Sequence, residues 1–265
     1  MTEPETETRT ANHSNQAFHA IVRADTIQRS IALVHALVDE CRLHLDADGV
    51  RITAIDPATV AAVDLELGSA AFESYEATGG RLGVDLTRLD EIVGLADRDQ
   101  FVRFELDAET RTLQITIDDL EYTLGLLDPE TIRSPPDRTD LALDSPGEVV
   151  LAAEQIGRAV KAGEMVSDQI AFGIDESAET FYAEAEGDTD DVSLAQDANE
   201  LVEFSPADAH SLFSVEYLAA INREMPNGTE VDVQIGTEEP LVADFEFAEG
   251  DGSVTYLVSP RIANY

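Results

Sequence analysis

Apolar residues recur along this chain with two different periods. The stretches 41–45 and 50–54 alternate apolar and polar residues on either side of Asp48-Gly49, and this pattern predicts a β-hairpin. The same period of two predicts further strands in both halves of the chain, at 18–22, 63–67, 82–84, 102–106, 113–117, 122–126, 149–151, 170–174, 181–183, 192–194, 231–235, 241–247 and 254–258.

Helical spacing occurs in four windows, at 26–36, 86–96, 153–163 and 214–224. In the first window Ile27 and Ile31 would fall on one face of a helix. Asp25 or Thr26 is placed to cap this helix, and Asp85 is placed to cap the second. Helices separated by groups of strands predict an α+β fold.

The second half of the chain repeats the order of the first. Val38-Asp39-Glu40 is echoed by Val166-Ser167-Asp168 at an offset of 128 residues, and 82–86 is echoed by 211–215 at an offset of 129. Two echoes at nearly the same period predict a duplicated domain. Chance similarity between short amphipathic elements is the alternative.

The stretch 126–148 joins the two halves. It contains four of the ten prolines and has no regular hydrophobic period, so we expect it to run extended along a surface. Met1 to Ala17 is polar, and we expect it to be disordered. The predicted organisation is an extension at 1–17, a first domain at 18–126, a connecting loop at 127–148 and a second domain at 149–265.

The net charge of −39 arises from 55 acidic residues against 16 basic ones, of which a single residue is lysine. This composition is typical of proteins from extreme halophiles, because molar salt screens the repulsion between surface carboxylates. No stretch resembles a membrane span or a secretory signal, and we expect a cytoplasmic protein without membrane association. The single cysteine, Cys41, excludes an internal disulfide.

Motifs of common catalytic sites are missing from the sequence. Lys161 is the only lysine and follows Val160, so no phosphate-binding GK[ST] loop is present. Cys41 and His44 would point to opposite sides of a strand and could not share a metal ion. We therefore expect a protein without enzymatic activity, cofactor or metal. A nuclease using carboxylate-bound metal is the alternative from a different functional class.

Basic residues are enriched in the four helical windows relative to the rest of the chain. The windows contain as many basic as acidic residues, whereas the remainder is strongly acidic, as if the helices faced a polyanion. The alternatives are that short helices are less exposed, or that Arg158 pairs with Glu154 one turn away. The basic residues of these windows are Arg29, Arg88, Arg158, Lys161 and Arg223.

Several segments resemble the archaeal and eukaryotic sliding clamp, proliferating cell nuclear antigen (PCNA). They are Asp56-Pro57-Ala58-Thr59-Val60, Ala183-Glu184-Ala185-Glu186-Gly187-Asp188 and Tyr256-Leu257-Val258-Ser259-Pro260-Arg261-Ile262. The resemblance covers 18–262 and is greatest to haloarchaeal clamps. It implies duplicated clamp domains in a homotrimeric ring, with helices lining the hole, antiparallel sheets outside and duplex DNA threaded through. The five basic residues of the helical windows would then face the DNA. It also implies that DNA polymerase, the clamp loader replication factor C, flap endonuclease and DNA ligase are partners.

The resemblance further implies a groove for client peptides of the PIP-box type beside the joint. Its residues would be Ile55, Thr59, Val60, Ala62, Leu127, Ile132, Pro135, Pro240, Leu257, Val258, Ser259 and Pro260. Val60 and Val258, taken singly, are also typical of an ordinary core. The implied subunit contact pairs 121–127 with 191–195 of the next subunit, through Tyr122, Leu124, Leu126, Asp191, Val192 and Leu194.

One other clamp architecture fits the same pattern. A subunit of a heteromeric ring, such as a checkpoint-type clamp, would share the fold but would not form a ring alone. The mass of the purified protein separates the two hypotheses.

Overall fold

The protein is described here by a computed structural model, which covers residues 17–133, 135 and 147–261. The extension predicted at 1–17 therefore lies outside the described residues except for Ala17. The same holds for most of the predicted connecting loop beyond Arg133.

The described chain forms four α-helices and eighteen strands. The helices are α1 (Ala24–His35), α2 (Leu86–Val93), α3 (Ala153–Gly163) and α4 (Val215–Glu224). The strands of the first half are β1 (Phe18–Arg23), β2 (Glu40–Leu45), β3 (Gly49–Ile55), β4 (Ala61–Gly68), β5 (Phe72–Ala77), β6 (Gly80–Asp85), β7 (Phe101–Asp107), β8 (Thr112–Ile117) and β9 (Leu120–Gly125). Those of the second half are β10 (Gly147–Ala152), β11 (Gln169–Asp175), β12 (Thr180–Glu186), β13 (Asp191–Asp197), β14 (Glu203–Ser205), β15 (Ala209–Ser214), β16 (Glu230–Ile235), β17 (Leu241–Phe247) and β18 (Gly252–Val258).

The element order of the first half is repeated in the second. Helices α1 and α3 begin at Ala24 and Ala153, and α2 and α4 begin at Leu86 and Val215, so both pairs are 129 positions apart. This spacing agrees with the echoes in the sequence and confirms an α+β fold built from a duplicated unit.

Every strand expected from the alternation is present, but β5, β14 and β15 were not predicted. Strand β5 has no clean alternation, because its residues are partly buried on both faces. In β15 the inward positions include the small polar residue Ser211, which hides the apolar period. Strand β14 has only three residues, too few to show a period.

The start of α1 differs from the sequence prediction. Asp85 caps α2 as expected, since its carboxylate accepts a hydrogen bond of 3.0 Å from the Arg88 amide. The cap position of α1, however, is Arg23, and neither Asp25 nor Thr26 holds it. Strand β1 runs directly into the helix, and the Ala24 amide is satisfied by the Gln100 carbonyl at 2.9 Å. Neighbouring backbone thus takes over part of the role of a capping side chain.

The strands form three antiparallel sheets. Two of them lie within one half each, in the orders β5-β1-β7-β8-β9 and β13-β12-β11-β15. The third has nine strands in the order β14-β10-β16-β17-β18-β4-β3-β2-β6, so it contains strands from both halves. The halves meet where β18 pairs with β4, with Tyr256 opposite Val63 and Val254 opposite Leu65.

The helices form a row on one side of the sheets. Helix α1 packs against α2, α3 packs against α4, and α1 meets α4, which gives the spatial order α2-α1-α4-α3. One continuous apolar core lies between this row and the strands. Within it the fully buried Tyr256 donates a hydrogen bond of 2.7 Å to the Leu33 carbonyl, linking the last strand to the first helix. None of the described helices is both long and apolar enough to cross a membrane.

Candidate functional site

The helix row carries the basic residues predicted to face DNA. Arg88, Arg158, Lys161 and Arg223 are all exposed. Arg88 makes a loose ion pair of 3.4 Å with Glu91, while the other three make no ion pair with any carboxylate in the described ranges. The predicted alternative for Arg158 is not observed, because Glu154 instead accepts a 2.6 Å hydrogen bond from the Gly228 amide.

Arg29 has a different environment from the other four. It is partly buried, and its guanidinium donates a 3.0 Å hydrogen bond to the Glu224 carbonyl at the end of α4. A cation at this point also interacts favourably with the negative end of the helix dipole. Arg29 therefore joins the two halves of the helix row, in addition to carrying charge on that face.

An apolar strip crosses the outer face of the nine-stranded sheet, on the side away from the helices. Ile55 lies opposite Ala62, Ala62 opposite Leu257, and Leu257 opposite Val242. All four side chains are partly exposed, and the next residues on the same face of each strand are polar: Thr53, Asp64, Thr255 and Asp244. Three of the four were predicted as groove residues. Val242 was not, and the alternation in β17 could have placed it on the same face.

The turn between β3 and β4 lies beside this strip and is held by Asp56. This side chain is only 2% exposed. It accepts hydrogen bonds from the amides of Ala58, Val60 and Ala61, at 2.6 to 2.8 Å. It also accepts a 2.8 Å hydrogen bond from the Tyr217 hydroxyl on α4. The turn that carries Thr59 and Val60 is therefore anchored to a helix of the opposite half.

The hydrogen bonds around Asp56 determine its ionisation. Desolvation by itself would raise the pKa of this carboxyl, but the bonds from Ala61, Tyr217 and the other two amides outweigh it and lower the pKa below 3.8. Burial and the bond to Asp56 raise the pKa of Tyr217 to about 12. Asp56 is thus a carboxylate and Tyr217 a neutral donor at neutral pH. Neither was predicted as a site residue, because their pairing spans 161 positions of sequence.

The segment 126–133 reaches the turn between β3 and β4. Four arginines connect this segment to the first half. Its Leu127 amide donates to the Gly83 carbonyl at 2.9 Å. The four contacts are Arg111 to the Leu127 carbonyl at 3.2 Å, Arg81 to the Glu130 carboxylate at 3.2 Å, Arg42 to the Ile132 carbonyl, and Arg133 to the Pro57 carbonyl at 3.3 Å. The segment therefore has a fixed path from the edge of β6 to the turn after β3.

The remaining predicted groove residues divide into exposed and buried ones. Leu127, Pro135, Pro240, Ser259 and Pro260 are partly exposed, and the Ser259 amide donates a 2.8 Å hydrogen bond to the Val60 carbonyl.

Ile132 and Val258 are buried, with 4% and 0% exposure, so neither side chain is accessible at the surface. Val258 points into the core because it alternates with the outward-facing Leu257. This result favours the core interpretation of Val258.

The strands predicted to meet another subunit lie at sheet edges. Strand β9 ends the five-stranded sheet and β13 ends the four-stranded sheet. Tyr122 is exposed on β9, Leu126 follows the strand and is partly exposed, and Leu124 is buried. On β13, Asp191 is exposed, while Val192 and Leu194 are partly buried.

Residues 19–123 match the family described as "Proliferating cell nuclear antigen, N-terminal domain". The chain is 52% identical to the DNA polymerase sliding clamp of Haloarcula marismortui, over 92% of this chain and 98% of that protein. It is 53% identical, with the same coverage, to the sliding clamp of Natronomonas pharaonis. The chain belongs to the DNA polymerase sliding clamp family. Both relatives come from halophilic archaea, in agreement with the acidic composition.

A solved clamp structure supports the same membership. PCNA from A. fulgidus, determined with the C-terminal region of FEN-1 bound, is 30% identical to this chain and superimposes with a TM-score of 0.86. The match covers 94% of this chain and all of the other. Sliding clamps are processivity factors without catalytic activity, so the expectations of fold, family and absence of enzymatic function are confirmed.

Proposed function

We propose that this sliding clamp closes into a homotrimeric ring in which β9 of one subunit pairs with β13 of the next. The observation that carries the proposal is the position of these two strands at sheet edges. Strand β9 ends a sheet of the first half and β13 ends a sheet of the second half, and the outer edge of each has no partner strand in the described chain. Head-to-tail pairing of two different edges generates a closed ring when the rotation closes. It also removes both exposed edges, which would otherwise favour aggregation.

Duplex DNA would thread through this ring along the helix row. The row presents four exposed cations, and in a ring the rows of three subunits would follow one another around the hole. With a net charge of −39 per chain, attraction to phosphates is weak, and it weakens further with salt. The ring therefore acts as a topological tether for DNA polymerase and other replication enzymes, which does not require tight contacts.

Client proteins would bind at the apolar strip and the segment 126–133. PIP-box peptides present aliphatic and aromatic anchors, each of which stabilises a complex by about 1.5 to 3 kcal/mol when buried. The FEN-1 region bound to the A. fulgidus clamp supports this class of ligand. We extend the proposal to polymerase, replication factor C, flap endonuclease and DNA ligase as clients. The proposed domain organisation is a first domain at 18–126, a connecting loop at 127–148 and a second domain at 149–265.

Light scattering of the purified protein in about 2 to 3 M KCl tests the ring, because charges are screened there. The expected mass is three times the chain mass of 28.7 kDa. A monomer or dimer would contradict a self-sufficient ring and favour a subunit of a heteromeric clamp. Because the exposed Asp191 lies on the proposed contact strand, we also expect the trimer to dissociate in about 0.1 M salt, where repulsion is less screened.

A further inference from the structure

Five arginines cluster on the outer face of the first half, around the segment 126–133. We call them the arginine island: Arg42, Arg51, Arg81, Arg111 and Arg133. Arg81 and Arg51 flank His44 in one cross-strand row, and Arg42 lies on the same face of β2 one step along. Arg111 lines a shallow cleft together with Arg81. A chain with 16 basic residues and a net charge of −39 thus concentrates five of them at one place.

Only two of these arginines are neutralised by carboxylates. Arg51 pairs with Asp64 at 2.6 Å and with Glu66 at 3.5 Å, and Arg81 pairs with Glu130 at 3.2 Å. Arg42, Arg111 and Arg133 donate instead to main-chain carbonyls, and a neutral acceptor leaves the positive charge in place. Within the described ranges these three have no carboxylate partner, and both Arg111 and Arg133 are exposed.

The ionisation of His44 is consistent with a locally positive potential. Burial is the largest cause that lowers its pKa, and the charges of Arg81, Arg42 and Arg51 lower it further, against a smaller opposing effect of Asp64. His44 is therefore neutral at neutral pH and adds no charge of its own. Asp128 and Glu130 are two exposed acids on the segment itself, and Glu130 is the one already paired with Arg81.

The island adjoins the proposed client groove on the same sheet face. Arg51 and Ile55 are both on β3 and four positions apart, which corresponds to about 13 Å in a strand. Arg133 reaches the Pro57 carbonyl in the turn that carries the groove residue Thr59. About four residues of extended peptide leaving the groove would span this distance.

We propose that the arginine island binds a carboxylate-rich stretch of client protein that flanks the peptide in the groove. Arginine suits this role because its planar guanidinium can engage a carboxylate through two parallel hydrogen bonds. The positive charges of the island favour an acidic flank. A basic flank would instead be attracted to the acidic surface that makes up the rest of the protein. The proposal rests on the proposed client groove and adds the chemistry of the flanking sequence.

The test uses fluorescence anisotropy with two peptides that share one PIP-box core and differ in a flank of four Glu or four Gln. In about 1 M KCl, where screening weakens exposed ion pairs, the Glu-flanked peptide should bind wild-type protein about two- to threefold more tightly. Arg111→Gln combined with Arg133→Gln should abolish this preference. Arg111→Lys with Arg133→Lys should retain part of it. Arg103→Gln removes an exposed charge outside the island and should leave it unchanged.

Three results would overturn the inference. Equal affinity of wild-type protein for both peptides would remove its basis. An equal loss for both peptides in the double Gln variant would mean that the arginines only hold the segment in place. If instead discrimination appears only after Asp137, Asp140 and Asp144 are changed to Asn, the chain's own 136–146 segment occupies the island. Failure of both peptides to bind would contradict the proposed client groove itself. Failure of the groove can therefore be distinguished from failure of the arginine island.

Discussion

The helix row and the outer face of the nine-stranded sheet use arginine in different ways. On the row, Arg158 and Arg223 are exposed and form no ion pair with any of the described residues, so their positive charge remains on the surface of the row. On the outer face, Arg42 and Arg133 cross-link separate stretches of backbone by donating to carbonyls. The number of charges on a helix or strand therefore does not reveal the role of its arginines. On the helix row arginine contributes positive charge to the surface, whereas on the outer face it connects separate stretches of backbone by hydrogen bonds.

The two faces are also connected, and Asp56 is the point of connection. Asp56→Ala would leave three turn amides and the Tyr217 hydroxyl without their acceptor. We expect a loss of about 2 to 4 kcal/mol in the free energy of unfolding, because buried donors lose their partner. Client-peptide affinity should fall by more than about tenfold, since one wall of the groove loosens. Thermal unfolding followed by circular dichroism, with a peptide titration, measures both quantities.

Tyr217→Phe is the matched control for this change. It removes one of the four hydrogen bonds to Asp56 and keeps the ring, so we expect a loss of about 1 kcal/mol. Equal effects of the two variants would mean that the link to α4, and not the turn itself, maintains the groove wall.

Arg42→Met tests the structural use of arginine on the outer face. The variant keeps an apolar chain but loses the hydrogen bond to the Ile132 carbonyl, so the segment 126–133 becomes less ordered. Peptide affinity should fall about three- to tenfold, less than the full value of a charge-assisted hydrogen bond, because the lost contact acts on the proposed groove only through the segment. Retention on circular DNA should not change. Arg103→Met serves as the control, and an equal loss in both variants would contradict a specific role for Arg42.

Arg158→Gln with Lys161→Gln tests the other use of basic residues, as charge on the helix row. In about 0.5 M KCl the affinity for short linear duplex DNA should fall about two- to tenfold, and its salt dependence should become shallower. The lifetime of rings loaded on circular plasmid should stay the same, because encirclement and not attraction holds them. A loaded lifetime that falls in parallel with affinity would contradict the tether.

The smallest expected effect concerns the acidic part of the outer face. Burial, and then the hydrogen bond and charge of Glu148, raise the pKa of Asp232 from 3.8 to about 6. Between these values the folded chain holds a proton that the unfolded chain releases, so the free energy of unfolding should rise as the pH falls from about 7 to about 5. Asp232 is partly exposed, and screening keeps the gain below about 1 kcal/mol. Asp232→Asn should remove this part of the pH dependence in denaturant titrations, and an unchanged profile would contradict the assignment.

The sequence predicted those features that depend on local patterns. Hairpins such as β2–β3, the cap at Asp85 and the 129-residue repeat were all visible, because each rests on residues close together or regularly spaced. Family resemblance added the proposed client groove, which stays a prediction. The sequence could not predict the tie between Asp56 and Tyr217 or the contact of Arg42 with Ile132, since both join distant residues through side-chain geometry. It also misplaced the start of α1, where backbone from the loop after α2 satisfies the helix amides.

The pairing of β9 with β13 can be tested by cross-linking two introduced cysteines, one at Thr123 on β9 and one at Ser193 on β13. Cys41 will not interfere, because it is buried and burial raises the pKa of its thiol to about 12. With a flexible bismaleimide in about 2 M KCl, we predict a covalent closed trimer from the double variant and no cross-linked product from either single variant. Cross-linked dimers from a single variant, or monomers alone from the double variant, would contradict head-to-tail closure through these strands.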